Sequence, residues 1–456
     1  MYPTEIFKAY DIRGIVGKTL TPSIVRDIGQ AIGSEALARQ QRTVVIGRDG
    51  RLSGAELAKA LATGLQAAGV DVIDVGCVAT PMTYFAAHHL ETYSAVMVTG
   101  SHNPPEYNGL KMMIGGETLA GEAITALHQR LETGQLSSGY GSYSTLAIQE
   151  AYLDAITSTL QLQRPMNVVI DCGNGVAGGI APTLYRRLGC KVRELFCEVD
   201  GHFPNHHPDP SRPENLRDLI HALEKTDAEI GLAFDGDGDR LGVVTKSGKI
   251  IFPDRQLLLF AADVLTRNPG ATVIYDVKST GNLAPWIRQH GGNPLLCRTG
   301  HSFIKAKMRE TGALLAGEMS GHLFFKERWF GFDDGVYAGA RLLEILSRVD
   351  NPSAVLEALP DAMSTPEINL ATAEGAHHAL ITRLQQEAQF PTAKEINTLD
   401  GLRVEYTHGF GLIRASNTTP VLVLRFEAKD ANSLEQIQAE FRQVLHTFAP
   451  ELNATW

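Results

Sequence analysis

Ile230-Gly231-Leu232-Ala233-Phe234-Asp235-Gly236-Asp237-Gly238-Asp239-Arg240 runs from an apolar segment straight into three aspartates spaced by single glycines. The apolar half suits a buried strand, and the Gly-Asp alternation ends it in a tight polar loop. Upstream lie the apolar run 168–171, a helical stretch closing at Leu188-Gly189, and a second apolar run at 192–196. The unit reads strand–helix–strand–helix–strand, with its most polar loop after the third strand.

The same order occurs twice more. Towards the N-terminus the strands are 44–46, 70–75 and 95–98, and the last leads into Thr99-Gly100-Ser101-His102-Asn103-Pro104. Towards the C-terminus they are 273–276, 295–297 and 313–316, leading into Gly317-Glu318-Met319-Ser320-Gly321-His322. Ligands of open α/β sheets bind beyond the carboxyl ends of the strands, so three equivalent loops are offered to one cleft. Ser53-Gly54-Ala55-Glu56 has capping-box spacing. It precedes a helix whose Leu57, Leu61, Leu65 and Ala68 share a face, with Gly69 as its stop. After about Met363 the pattern changes. Leu402, Val404 and Tyr406 alternate, as do Leu422, Leu424 and Phe426, which predicts half-buried strands. Leu434, Ile437, Phe441, Val444 and Phe448 mark one face of a final helix stopped near Pro450, completing a smaller α+β unit. Residues 134–144 read as a flexible surface connection.

The 456 residues carry 41 Lys and Arg against 51 Asp and Glu, a formal charge of −10. That balance argues against non-specific nucleic-acid binding, which needs many cations to displace counterions. No apolar run approaches the roughly 18 residues that span a bilayer. Residues 1–14 lack a basic segment followed by an apolar one, so no secretory signal is expected. Five scattered cysteines without a CxxC argue against a disulfide framework or a zinc site, and for a reducing cytosol.

Asp235, Asp237 and Asp239 carry the first candidate chemistry. Residues two apart in an extended segment face one side, and three converging carboxylates repel one another without a cation. A hard, oxygen-liking ion such as Mg²⁺ suits them. An EF-hand is rejected, because its sixth position is Arg240 rather than Gly and its twelfth is Lys246 rather than Glu. Arg240 adds a charge suited to phosphate. Ser101, beside His102 in a loop stiffened by Pro104 and Pro105, is a nucleophile or phosphate-carrier candidate. No GxSxG elbow surrounds it or Ser320. Arg414-Ala415-Ser416-Asn417-Thr418-Thr419-Pro420 offers a guanidinium, hydroxyls and an amide as a phosphate cradle, or a plain polar turn. Gly173-Asn174-Gly175-Val176-Ala177-Gly178, with Glu194 beyond it, matches a dinucleotide fingerprint. The other two units lack that fingerprint, and it leaves the aspartates, Ser101 and Arg414 unexplained. A P-loop is absent, since Lys249 is followed by Ile250.

Taken together, from Phe7-Lys8-Ala9-Tyr10-Asp11-Ile12-Arg13-Gly14 to the Arg414 segment, the chain resembles the α-D-phosphohexomutase superfamily, in particular its bacterial phosphomannomutase/phosphoglucomutase branch. The resemblance implies an α/β fold of three related mixed α/β domains with three-layer sandwich character. A smaller C-terminal α+β domain joins them around a central cleft. The expected boundaries are 1–147 (phosphoserine), 148–249 (metal), 250–362 (sugar) and 363–456 (phosphate). The resemblance makes Ser101 the phosphorylated serine, with Asp235, Asp237 and Asp239 holding Mg²⁺ together with it. Glu318 and Ser320 fall on sugar hydroxyls, and Arg414, Ser416, Asn417 and Thr418 on the distal phosphate. Tyr10, Arg13, Lys111, Arg240, Lys278, His301 and His322 match further active-site positions, and His102 or Lys111 is the proton acceptor. Gly100 stands where many members have Ala, with no consequence expected between two small residues. Met319 stands where phosphoglucosamine mutases usually carry Gln.

The implied activity is reversible conversion of hexose 1-phosphate and hexose 6-phosphate, for glucose and mannose, through a phosphoserine and a hexose 1,6-bisphosphate. Glu318 and Ser320 read the 3- and 4-hydroxyls and leave C2 unread, so both sugars are expected to serve and galactose 1-phosphate to be poor. The expected partners are hexose phosphates, with no nucleic acid and no membrane, and a monomeric cytoplasmic chain. A phosphoglucosamine mutase, a nicotinamide-dependent oxidoreductase and a sugar-phosphate-binding module stand as alternatives.

Overall fold

A computed structural model describes residues 2–373, 375–417, 419–452 and 456. Three sheets repeat one motif. In the first, strands Thr43–Arg48, Asp71–Cys77 and Ala95–Val98 run parallel with Thr43–Arg48 in the middle. In the second, Asn167–Asp171 lies between Lys191–Leu195 and Ile230–Phe234. In the third, Thr272–Asp276 lies between Asn293–Cys297 and Leu315–Gly317. The helices in the crossovers are Gly54–Ala68 and Thr80–His89, Ala181–Arg187 and Arg217–Lys225, and Leu283–Gln289 and His301–Thr311.

Each third strand then turns back on itself. Ala95–Val98 pairs antiparallel with Tyr107–Ile114, Ile230–Phe234 with Leu241–Thr245, and Leu315–Gly317 with Leu323–Phe325. Every candidate loop is therefore the tip of an antiparallel hairpin rather than a strand-to-helix connection, and each sheet is mixed. The C-terminal sheet is antiparallel throughout, ordered Met363–Ser364, Val421–Ala428, Gly409–Ala415, Leu402–Tyr406, Glu395–Asn397.

One apolar core runs without a break through the first three units, from Val45 and Phe85 through Tyr152, Leu184 and Leu232 to Leu323 and Leu342. Helix Gly335–Leu346 helps to join it. That helix packs on strands of both the second and third sheets, and a side chain at Gly339 would lie 2.2 Å from the Tyr185 hydroxyl. The C-terminal unit has its own core around Leu402, Val404, Leu424 and Phe426 of the sheet, closed by Ile437 and Phe441 of helix Ala431–Phe448. Asp430 caps that helix by accepting from the Ser433 N–H. The seam between the third and fourth units is mostly polar, with one small apolar contact where Val277 meets Phe410 and Leu412. Arg403 donates to the carbonyls of Val277 and Ser279, Arg425 pairs with Asp254, and Thr280 donates to Glu427.

Several local expectations change. Ser53 is itself helical and makes no capping bond, because its hydroxyl accepts from Asn108 Nδ2 instead. Gly69 does end the helix, in the left-handed conformation. Strand Val421–Ala428 is buried on both faces, since Arg425 and Glu427 are used in the seam. Residues 134–144 are tethered rather than loose: Gly139 and Gly141 donate to the carbonyls of Ala67 and Gln66, and Tyr143–Thr145 adds a strand to the first sheet. Among the described residues no helix is long and apolar enough to cross a membrane, and all five cysteines are free thiols.

Candidate active site

The three hairpin tips meet. Ser101, just beyond strand Ala95–Val98, is buried in a left-handed backbone conformation, φ 51°. Its Oγ lies 3.2 Å from His102 Nδ1 and 3.4 Å from Asp235 Oδ2 of the second tip. The approach is close enough that a side chain at Gly236 would come within 2.3 Å of the Ser101 carbonyl oxygen.

Asp235, Asp237 and Asp239 are fully buried. They converge through a turn, with Gly238 left-handed, rather than through the alternation of an extended segment. Asp235 accepts from Arg240 N and Nε, at 3.2 and 2.9 Å. Asp237 Oδ2 accepts from Thr80 Oγ1 and Lys111 Nζ, at 2.5 and 2.7 Å, and Lys111 also reaches Asp239 Oδ2 at 2.5 Å. Oδ1 of both Asp237 and Asp239 is buried without a hydrogen-bond partner. One ligand oxygen from each aspartate lies within 4.8 Å of the others. Lys111 and Arg240 are the cations hydrogen-bonded to the three carboxylates, with His322 near Asp239, and one oxygen from each aspartate comes close to the others: a donor set that fits a hard cation. Burial pushes Asp235 up to about 7 against the pull of Arg240, with Asp237 and Asp239 adding to the rise. Burial acts the same way on Asp237, but the Lys111 ammonium overrides it and holds that carboxyl below the usual range.

The two candidate proton acceptors are in opposite states. Loss of hydration, then the Arg240 charge, holds His102 well below the ordinary histidine value, so its ring is neutral. Burial would lower Lys111, yet Asp237 and Asp239 raise it well above its ordinary value. Arg240 also donates from Nη1 to Asp209 and to the Ser320 carbonyl, and its Nη2 is buried without a partner.

The third tip faces the same space. Glu318 Oε1 accepts from Gly300 N at 2.6 Å, and Oε2 has no partner. Burial raises this carboxyl to about 7, with His322 opposing. Ser320 is half-buried at the turn. His322 Nδ1 lies 3.0 Å from Asp333 Oδ2 and 3.5 Å from Asp239 Oδ1. Burial would lower His322, but those carboxylates raise it. The His301 ring stacks on His322, and Tyr10 meets His301 edge-on at 5.3 Å. Arg13 donates to Asn103 Oδ1 and pairs with Asp11.

The remaining candidates belong to the seam with the C-terminal unit. Lys278 is buried and held by Glu367 at 2.9 Å. Arg414 donates from Nε to Asp400, whose Oδ2 also accepts from Thr299 N, two residues from His301; Arg414 Nη2 is buried without a partner. Ser416 Oγ lies 3.1 Å from Thr419 Oγ1. Ser416 and Asn417 line a cavity of about 270 Å³ with Glu5, Phe7 and Lys8 of the first unit. Thr418 lies outside the described residues.

The glycine-rich 173–178 segment is not a dinucleotide turn. It opens a four-residue 3₁₀ turn, Val176–Gly179, not an α-helix. Its glycines serve chain packing instead: a side chain at Gly178 would lie 2.0 Å from the Cys197 carbonyl oxygen, and one at Gly175 would lie 3.0 Å from that of Asp235.

Sequence reasoning missed Asp49, Arg51, Asp209, Asp333 and Asp400, which sit behind the candidates and orient them. Only Asp49 and Arg51 carried a local signal, as charged residues directly after an apolar strand, and both are buried.

Residues 4–137, 150–248 and 252–363 match the phosphoglucomutase/phosphomannomutase alpha/beta/alpha domains I, II and III, and residues 344–444 match the C-terminal domain of the same family. The chain is 60% identical over 446 residues to a phosphoglucomutase of Neisseria gonorrhoeae, covering 97% of each chain. It is 58% identical over 444 residues to the phosphomannomutase/phosphoglucomutase of Pseudomonas aeruginosa, covering 97% of this chain and 96% of that one. A crystal structure of a phosphoglucomutase/phosphomannomutase family protein from Burkholderia thailandensis superposes with a TM-score of 0.95 at 56% identity, over 99% of both chains.

Proposed function

The chain belongs to the phosphoglucomutase/phosphomannomutase family, and from that premise we propose how its residues carry the family's reaction. The protein is an enzyme, an intramolecular phosphotransferase that interconverts hexose 1-phosphate and hexose 6-phosphate. The observation that carries the site assignment is the approach of Ser101 Oγ to Asp235 beside the idle oxygens of Asp237 and Asp239.

Ser101 carries the phosphoryl group. Its P–O bond breaks as a bond forms to the free hydroxyl of the sugar phosphate, giving the hexose 1,6-bisphosphate; after the bisphosphate turns end for end, the other phosphate returns to Ser101. Mg²⁺ held by Asp235, Asp237, Asp239 and Ser101 would supply charge neutralisation on the transferring group. Arg240 brings its unpartnered Nη2 to the same group. Neutral His102, beside Ser101 Oγ, takes the sugar hydroxyl's proton and passes it to the departing Ser101 Oγ; in the second half it takes the proton of the attacking serine hydroxyl, and the sugar oxygen that leaves the phosphate receives it. Lys111, already charged and bound to two carboxylates, serves as a fixed cation.

Glu318 and Ser320 hold the 3- and 4-hydroxyls, the idle Oε2 being the acceptor, and C2 goes unread, so glucose and mannose are both substrates. Arg414, Ser416, Asn417 and Thr418, with Tyr10, Arg13, Lys278, His301 and His322 around them, bind the sugar and its distal phosphate. The reading is of a monomeric cytoplasmic enzyme divided at 147/148, 249/250 and 362/363. The test is intact mass and site mapping of the purified protein. One phosphate on Ser101, with turnover abolished in Ser101→Ala, is the expected outcome. Full turnover by that variant without added bisphosphate overturns the assignment.

A further inference from the structure

A buried arginine next to a serine that carries phosphate invites the role of phosphate ligand. The contacts of Arg51 exclude it. Its Nε donates to Asp49 Oδ2 at 3.2 Å. Nη1 donates to the carbonyls of Pro104 and Tyr107, at 2.6 and 2.9 Å, and Nη2 to those of Ser101 and Asn103, at 2.8 and 2.6 Å. A guanidinium has five N–H groups, and all five are used on the protein itself. Four of the acceptors are carbonyls of one loop, the loop that presents Ser101.

Further polar groups of that loop run to the partner of Arg51. Asp49 Oδ2 accepts from Thr99 Oγ1 and Gly100 N, and Thr99 Oγ1 accepts from Ser101 N. The peptide groups before and after Ser101 are thus both fixed, one through Asp49 and Thr99, the other by Arg51. A non-glycine residue at φ 51° is held against its own preference, and such a conformation persists only where its surroundings over-determine it. The fit leaves no spare room: a side chain at Gly100 would lie 2.3 Å from Arg51 Cζ and 2.4 Å from Nε. The second unit closes the arrangement from behind, with the Phe203 ring 5.3 Å from the Arg51 guanidinium and Gly201 against its backbone.

We propose that Arg51 is a positioning residue for phosphoryl transfer, a mould that holds the Ser101 loop in the one shape that aims Oγ at the aspartate cluster. The inference rests on the mutase reading above. In phosphoryl transfer nearly all of the catalysis is alignment and electrostatics, so a loop free to drift by an ångström loses rate rather than binding. Gly100 follows from the same contact. A methyl group here would press on this guanidinium, which its five hydrogen bonds hold in place, so Gly100→Ala tests the same contact without removing Arg51.

The experiment uses the full chain, phosphorylated with glucose 1,6-bisphosphate, with Mg²⁺ and glucose 1-phosphate. The variants are Gly100→Ala, which leaves Arg51 in place, and Arg51→Lys, which keeps the charge beside Asp49 but loses the fork. Both are expected to lower kcat by roughly 10²-fold, with KM within about twofold of wild type. Both should also move the ³¹P resonance of the phosphoserine, which a loss of global stability alone does not shift. A lowered Tm with kcat and the resonance unchanged overturns the proposal. Should Arg51→Lys fail to fold, Gly100→Ala decides alone, and an unaffected kcat there is equally fatal. Wild-type protein without turnover or phosphoserine would instead count against the mutase reading, so the two failures are distinguishable.

Discussion

At the scale of single residues the site is a problem in charge balance. Asp237 sits between Asp235 and Asp239, bonded to Thr80 and Lys111 through one oxygen and idle at the other. Asp237→Asn keeps the size and the acceptor for Thr80 but removes one of three converging charges. Activity measured against Mg²⁺ concentration is expected to need at least about tenfold more of the ion, with kcat lower by about 10²-fold. An unchanged Mg²⁺ curve would show the triplet to be a turn and nothing more. The three aspartates stood out by their spacing alone, whereas Ser101 and Arg414 lie in strings that read equally well as plain polar turns and took their places from the family resemblance. Asp49, Arg51, Asp333 and Asp400 were not legible, because each acts on a residue far along the chain, as Arg51 does on Asn103 and Asp400 on Thr299.

At the scale of elements, strand order was legible from apolar runs and glycine stops, while caps and return strands were not. Ser53 has the spacing of a cap and does not cap. Asp334 lies in no capping string and caps helix Gly335–Leu346 by accepting from the Tyr337 N–H, with Tyr152 and Trp329 donating to the same carboxyl. Burial lifts Asp334 from 3.8 to about 7 despite those bonds. An unfolded chain loses this proton near the ordinary value, so between the two the folded state holds an extra proton. Its contribution to stability is full below about 4 and is lost as pH rises towards 7. Asp334→Asn, which keeps an N-cap acceptor, has no proton to lose. Thermal unfolding from pH 4 to 8 is expected to show the variant gaining on wild type by a few kcal/mol across that window. Parallel profiles would mean that the carboxyl is ionised throughout.

At the scale of the molecule, the three repeated units share one core, and the fourth meets them mainly through the bonds of Arg403, Arg425 and Glu427, with only the small apolar cluster of Val277, Phe410 and Leu412 beside them. Apolar continuity couples unfolding, whereas a polar seam can part with water replacing its partners. Calorimetry is expected to resolve two transitions, one for the three units together and one for the C-terminal unit, and limited proteolysis at the onset of the lower one should release a fragment beginning near residue 363. A single transition, or separate melting of the first three units, would contradict this. Sequence periodicity showed three units and a fourth but could not show which of them fuse. That depends on elements such as Gly335–Leu346, whose buried residues lie all around the helix because it serves two sheets at once.

The return strands restrict how this chain can vary. Ser101 enters its tip from strand Ala95–Val98, and Lys111 sits on the outgoing strand, in register with Met97. Arg240 and His322 stand immediately before the outgoing strands of the other two tips and pair with each other across them. Side chains on a strand alternate faces, so one residue inserted between Ser101 and Lys111 would either turn the lysine away from the aspartates or force a bulge. Exposed loops commonly absorb insertions and deletions, but these three are closed at both ends by paired strands. Drift in this site is therefore confined to substitution: its letters can change, but its lengths are locked.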